Sequence, residues 1–154
     1  MSRATQYLTF GVDNEVFALP VERVREVLEL RPISRLPKAP DYVLGLIDVR
    51  GASLVVVDLR TKFGFPPVEP TNRTRVVVVE ARVGGASVGF GLMADCVFAV
   101  SGLDGAELEP APSIGQRWRA DWVVGVGREG GRFVVALDLD RLIDGEPLVS
   151  GRAA

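Results

Sequence analysis

The chain has 154 residues, 47% hydrophobic and 25% charged, which suffices for a buried core in one domain or two small ones and is too apolar for a disordered chain. Its net charge of −2 gives no electrostatic ground for nucleic acid or an anionic membrane as partner, and the absence of histidine removes the commonest general base and metal ligand. The single cysteine, Cys96, allows no intrachain disulfide, and no apolar run approaches the roughly 18–20 residues that span a bilayer, so a soluble cytoplasmic protein is expected.

Gln6–Phe10 alternates polar and apolar residues, Asp13-Asn14 marks a turn, and Val16–Leu19 reads as the returning strand. Pro20 opens a segment with apolar residues at 21, 24 and 27/28, a helical spacing, although Glu26–Leu30 fits a strand equally. The reading adopted is a short helical turn followed by a strand. Arg31–Pro40, with prolines at 32, 37 and 40, is an extended surface connection. Val43–Ile47 and Leu54–Val57 are strands joined by a turn at Arg50-Gly51. Asp58 is placed to cap a short helix through Phe63, stopped by Gly64 and Pro66-Pro67.

Val68–Arg73, with Pro70, is the best candidate boundary between two halves. Arg75–Glu80 is a continuous apolar strand, as expected of one covered on both faces, and Gly84-Gly85 closes a hairpin to Ser87–Met93. Cys96 follows in a Val/Phe-rich stretch and reads as a buried, inert thiol, since no histidine is present to activate it. Asp104–Arg119 is a long irregular connection, and the tail after Asp144 is polar.

Asp41–Leu59 aligns without a gap on Asp121–Leu139, with identities at Asp41/Asp121, Val43/Val123, Gly45/Gly125, Gly51/Gly131, Val55/Val135, Asp58/Asp138 and Leu59/Leu139. Glu15–Val27 lies likewise over Val88–Val100, matching Phe17/Phe90, Leu19/Leu92, Val24/Val97 and Val27/Val100. Two similar β modules in one chain point to a two-part adaptor rather than to a single catalytic cleft. The expected division is 5–70 for the first β-barrel half and 71–147 for the second. Terminal strands are free to cross between the halves, and 148–154 forms a frayed tail.

Four features invite a site. Gly125-Val-Gly127-Arg-Glu-Gly130 has the spacing of a dinucleotide fingerprint, but a strand, Arg132–Leu137, follows where a helix is needed, so it reads as a hairpin. Asp138 and Asp140 suggest paired carboxylates for a metal or a small β-barrel hydrolase. Asp138, however, repeats Asp58, and helix capping explains both copies. No catalytic residue, metal site or cofactor is assigned. Asn72-Arg-Thr74 is a formal glycosylation sequon without meaning in an unsecreted chain. Arg50 stands at a hairpin tip where its repeat counterpart is Gly130, so the turn itself gives no reason for it.

An ordered set of segments resembles the CheW family of bacterial chemosensory coupling proteins. The likeness runs through Tyr7–Phe10, Phe17–Leu28, Leu36–Gly45, Val49–Gly51, Asp58–Gly64, Thr74–Glu80, Asp95–Val97 and Asp138–Leu142, nearly the whole chain. The resemblance implies a mainly β fold of two five-stranded SH3-like barrels side by side, in agreement with the repeat. It implies a non-enzymatic adaptor linking a chemoreceptor's cytoplasmic tip to the CheW-like domain of a CheA-type histidine kinase, in a flagellar or a pilus-type pathway. Arrays at the inner membrane face are the implied location, with no nucleic acid as partner and no insertion into the membrane.

The family's receptor contacts carry over to Val24, Glu26, Arg50 and Val100. The repeat adds Val27 and Val97, so a groove lined by both halves is expected. This chain departs from the family pattern at Asp48, where Asn is common, and at Val55, where Pro is common. Asp48 shares a strand face with Arg50 and is positioned to pair with it.

Overall fold

Four two-residue turns set the hairpins of this protein. They join β1 (Tyr7–Val12) to β2 (Glu15–Pro20), β4 (Val43–Val49) to β5 (Ala52–Asp58), β6 (Arg75–Val83) to β7 (Ala86–Ala94), and β9 (Val123–Glu129) to β10 (Arg132–Leu137). The last three hold both central residues at positive φ, the turn whose twist matches that of the paired strands. Two edge strands complete the set, β3 (Val24–Glu29) after a single 3-10 turn over Val21–Arg23, and β8 (Cys96–Ser101) directly after Asp95. Short helices α1 (Leu59–Phe63) and α2 (Leu139–Ile143) follow β5 and β10. The computed structural model describes residues 5–103, 108–110 and 120–143. Most of the connection expected over 104–119, and the whole tail, lie outside the described residues.

The strands form two five-stranded sheets, ordered β8-β1-β2-β10-β9 and β3-β6-β7-β5-β4, each the wall of a small SH3-like barrel. The two orders are the same pattern shifted by one repeat. A first repeat supplies β1 to β5 and α1, a second supplies β6 to β10 and α2. The expected division at 70/71 therefore separates the repeats, while each barrel takes a hairpin from one repeat and three strands from the other. Two of the junctions between repeats are parallel pairings, β2 with β10 (Phe17 opposite Val135) and β5 with β7 (Val57 opposite Leu92), and the other two, β1 with β8 and β3 with β6, are antiparallel. Sequence periodicity specifies which residues share a face. It does not name the strand's neighbour.

Strand alternation divides the apolar side chains into three clusters. Phe17 and Leu19 of β2, Val77 and Val79 of β6, and Leu137 of β10 join Phe10, Phe63, Phe90 and Trp122 in one core to which both sheets contribute. The opposite faces feed two smaller clusters. Val16, Ala18, Val134 and Leu103 form one, and Ile47, Val56 and Val76 the other. Phe17 and Phe63 lie 5.0 Å apart between ring centroids, so the first helix is wedged against the other barrel's hairpin.

Each barrel is fastened along one seam. Ser34 and Leu46 exchange two backbone hydrogen bonds of 2.8 Å, and Glu109 and Val126 exchange two of 2.8 and 2.7 Å. Gly45 and Gly125, the paired glycines of the repeat, sit beside these seams. A Cβ on Gly45, at φ +142°, would lie 2.1 Å from the Ser34 carbonyl oxygen, and one on Gly125 would lie 2.8 Å from that of Glu109.

Two polar clasps tie the barrels together at equivalent places. The second residue of α1, Arg60, is buried. It donates to Asp95 at 2.6 Å, to Asp13 in the β1–β2 turn at 3.0 Å, and to the Pro66 carbonyl at 2.8 Å. The second residue of α2, Asp140, accepts from the Arg82 N–H at 2.7 Å and from Arg23, which also donates to the Glu80 carbonyl. Burial raises the Asp140 carboxyl's pKa, but the Arg23 and Arg82 hydrogen bonds outweigh this and hold it below its ordinary value of 3.8.

Gly45→Ala should lower unfolding free energy by at least about 2 kcal/mol, because left-handed strain and a seam clash combine. Gly125→Ala, without the positive φ, should cost about 1–2 kcal/mol. Urea titration of both variants checks the order. Arg60→Ala should cost about 1–3 kcal/mol, since it leaves Asp13 and Asp95 facing each other without their cation while water screens both partly exposed carboxylates. Asp140→Asn, at the more exposed clasp, should cost far less in the same assay.

Candidate docking surface

The two edge strands present equivalent valines. Val24 and Val27 on β3 lie opposite Val79 and Val77, while Val97 and Val100 on β8 lie opposite Phe10 and Leu8. All four cross-strand partners belong to the shared core, so all four valines stand on the core-facing side of their sheets. The inner pair, Val24 and Val97, packs against that core. The outer pair is exposed, Val27 at 38% and Val100 at 53%.

Arg50 adopts φ +52° in the β4–β5 turn, followed by Gly51 at φ +87°. Its counterpart turn is Gly130-Gly131, where a left-handed backbone carries no Cβ penalty. The Arg50 side chain reaches across to β3 and forms a two-pronged ion pair with Glu26. Asp48 does not take part, contrary to the pairing its position allowed. Its carboxylate accepts the Gly51 N–H at 2.9 Å and stabilises the turn, and its carbonyl accepts from Arg31 at 3.1 Å. The hydrogen bond from Arg50 lowers the Glu26 pKa below its ordinary 4.5, and the same bond raises that of Arg50.

The second barrel differs at the matching place. The repeat counterparts of Glu26 and Arg50 are Ala99 and Gly130, which cannot form an ion pair. A cleft of about 160 Å³ lies there, lined by Thr9, Val16, Phe98, Glu129, Arg132 and Val134. Ser101 donates to Glu129 across its edge. Phe98, exposed at 48%, was not singled out from the sequence; its position opposite Arg25 in the repeat was the available signal. Phe133 is also exposed, with the Arg128 guanidinium 4.9 Å above its ring.

The carboxylates that suggested metal or acid–base chemistry have other partners. Asp138 accepts from the Arg141 N–H at 3.2 Å, and Asp58 accepts from the Arg60 N–H at 3.1 Å, so both cap helices. Asp140 serves the inter-barrel clasp. Cys96 is half-buried rather than buried, because β8 is an edge strand and covers it on one side only. A larger cleft of about 370 Å³ lies between Arg60 and residues 68–74, but Arg60 already spends its donors on Asp13, Asp95 and Pro66.

The family model of the CheW-like domain matches residues 6–146. The chain belongs to the CheW-like domain family. It is 30% identical to a chemotaxis protein CheW of Rhizobium meliloti, over 95% of this chain and 97% of that protein. It is 27% identical to a chemotaxis protein CheW of Thermotoga maritima, over 90% and 87%. The fold matches the crystal structure of a CheW scaffolding protein from Thermoanaerobacter tengcongensis with a TM-score of 0.80 at 24% identity, covering 93% of this chain and 90% of that one. The family is one of chemotaxis scaffold and coupling proteins, and the two sheets of this CheW-like chain agree with its paired barrels.

Arg50→Gly should be more stable than Arg50→Ala, because glycine relieves the left-handed strain that alanine keeps. Thermal melts of the two variants decide this. The Glu26 carboxyl is lowered in the folded state, so the pair stabilises above the ordinary glutamate pKa, and that contribution is lost as pH falls through the lowered value. The stability gap between wild type and Glu26→Gln should therefore shrink on acidification and in high salt, as measured by melts at several pH values.

Proposed function

We propose that this chain is a non-enzymatic coupling protein that ties the cytoplasmic tip of a chemoreceptor to a CheA-type histidine kinase. The carrying observation is the Glu26–Arg50 pair. It ties an exposed turn whose backbone would be easier with glycine to edge strand β3, where exposed Val27 is the next residue along the strand. An amphipathic receptor helix needs apolar anchors inside a polar rim. Val24, Val27, Val97 and Val100 are suited to the first role, Glu26 and Arg50 to the second.

The kinase docks through its own CheW-like domain on a separate barrel surface. Contacts of this kind are individually modest, and array valency strengthens them. Among the described residues no helix is long and apolar enough to cross a membrane, which suits a partner that meets receptors at the inner membrane face.

Binding of a receptor cytoplasmic fragment and of a CheA-type kinase, measured by calorimetry, tests the reading. Wild type should bind both. Arg50→Ala should weaken the receptor fragment about tenfold while leaving kinase affinity unchanged, as expected when one interface contact of consequence is lost. A wild-type chain that binds neither partner ends the proposal. Unchanged receptor affinity in folded Arg50→Ala removes this residue from the site.

A further inference from the structure

We propose that the protein exchanges repeats with a second copy of itself, pivoting at the link 64–74 into a reciprocal dimer whose barrels are each built from two chains. The inference stands on strand order and is independent of which receptor or kinase is bound. Among the described residues, ladders within a repeat form only in the hairpins β1–β2, β4–β5, β6–β7 and β9–β10, beside the single-bridge seams Ser34–Leu46 and Glu109–Val126. The ladders that assemble these into sheets, β1–β8, β2–β10, β3–β6 and β5–β7, all run between repeats. The Arg60–Asp95 bridge and the Asp140–Arg23 bridge also join opposite repeats. An isolated hairpin is marginal in water, so a repeat gains its stability from its opposite number. Nothing in these contacts requires both repeats to belong to one chain.

The link permits the exchange. Residues 66–73 are all exposed and lie outside every strand, and Pro66, Pro67 and Pro70 stiffen them. Opening this segment breaks no sheet ladder. The Pro66 carbonyl that Arg60 holds lies next to α1 and travels with the first repeat. Pairing within one chain has the advantage of high effective concentration, so the monomer dominates in dilute solution. At high concentration the same surfaces meet in another copy. Each half of the resulting dimer carries a complete Glu26–Arg50 surface, because both residues belong to the first repeat.

Complementation between two damaged full-length chains provides the test. Gly45→Val spoils the seam of one barrel through the first repeat, and Gly125→Val spoils the other through the second. Refolded alone, each variant should lack the wild-type thermal transition. Refolded together, exchange unites the intact first repeat of one with the intact second repeat of the other. A species of doubled mass should appear, with a transition at the wild-type temperature. A mixture that melts as the sum of its parts, with no doubled mass, overturns the proposal.

Should either variant fold well alone, wild type refolded over a range of concentrations and followed by light scattering decides the matter. The ratio of dimer to monomer should rise in proportion to the refolding concentration. The dimer should also persist after dilution, since four ladders must open in each of its halves to undo it. Monomer at every concentration, or a dimer that dissociates at once on dilution, rejects the exchange.

Discussion

Everything in this molecule depends on reciprocal closure of the two barrels. Each repeat brings a hairpin that lies in one sheet and three strands that lie in the other, and neither set buries its apolar face alone. The largest core lies where the repeats meet and draws side chains from β1, β2, β6, β7 and β10 together. Folding either barrel therefore creates half the surface on which the other is built. The parallel pairings β2–β10 and β5–β7 are the joints of this arrangement, and both link residues far apart in sequence. Such long-range pairing is slow to form, since the loop-closure entropy must be met before the contacts give any return.

The clasps show how two copies of one motif diverge while keeping one geometry. In both, the second residue of a short helix reaches into the opposite barrel, yet one copy presents Arg60 and the other Asp140. The reversal of charge requires reversed partners, and each copy has them. Asp13 and Asp95 meet the arginine; Arg23 and the Arg82 N–H meet the aspartate. A guanidinium as buried as Arg60 needs its donors filled, because an unpaired buried cation is far more costly than a lost surface pair. The Asp140 clasp is more open to water and is more easily replaced.

Local features were legible in the sequence. The turns at Arg50-Gly51 and Gly84-Gly85, the caps at Asp58 and Asp138, the 3-10 turn before β3 and the paired glycines at 45 and 125 all follow from chemistry within a few residues. The repeat was readable for the same reason, as was the resemblance that implied paired barrels. What was not readable is partnership across the chain. β8 has no clean alternation, because a register shift between Thr9 and Phe10 breaks its ladder with β1, so its strand character was hidden in a Val/Phe-rich stretch. Arg60 gave no signal of being a buried inter-barrel cation, since its partners lie 47 and 35 residues away. For the candidate site, residue identities were available but pairings were not. Asp48, two residues from Arg50, turned out to serve the turn, while Glu26, 24 residues away, is the true partner.

That pairing bears on what Arg50 is for. A left-handed backbone disfavours any residue with a Cβ, and the turns at Gly84-Gly85 and Gly130-Gly131 avoid the penalty with glycine. The ion pair with Glu26 gives little in return, since Arg50 is 73% exposed and its charge is well screened by water and salt. Asp48 already secures the turn through Gly51, so the arginine is not needed to shape it. Folding thus supplies a small cost and no matching gain. The same pair does accomplish something at the surface, for it holds a planar cation and a carboxylate in fixed register at edge strand β3, on the face opposite to that of Val27. On the proposed function, a receptor helix would meet a rim already arranged, with less ordering entropy opposing its binding. In the second barrel the matching positions are Ala99 and Gly130, and the turn there is unstrained. Strain kept in one copy and absent from the other has no origin in folding, which is the ground for proposing a docking role for the face that carries Glu26 and Arg50.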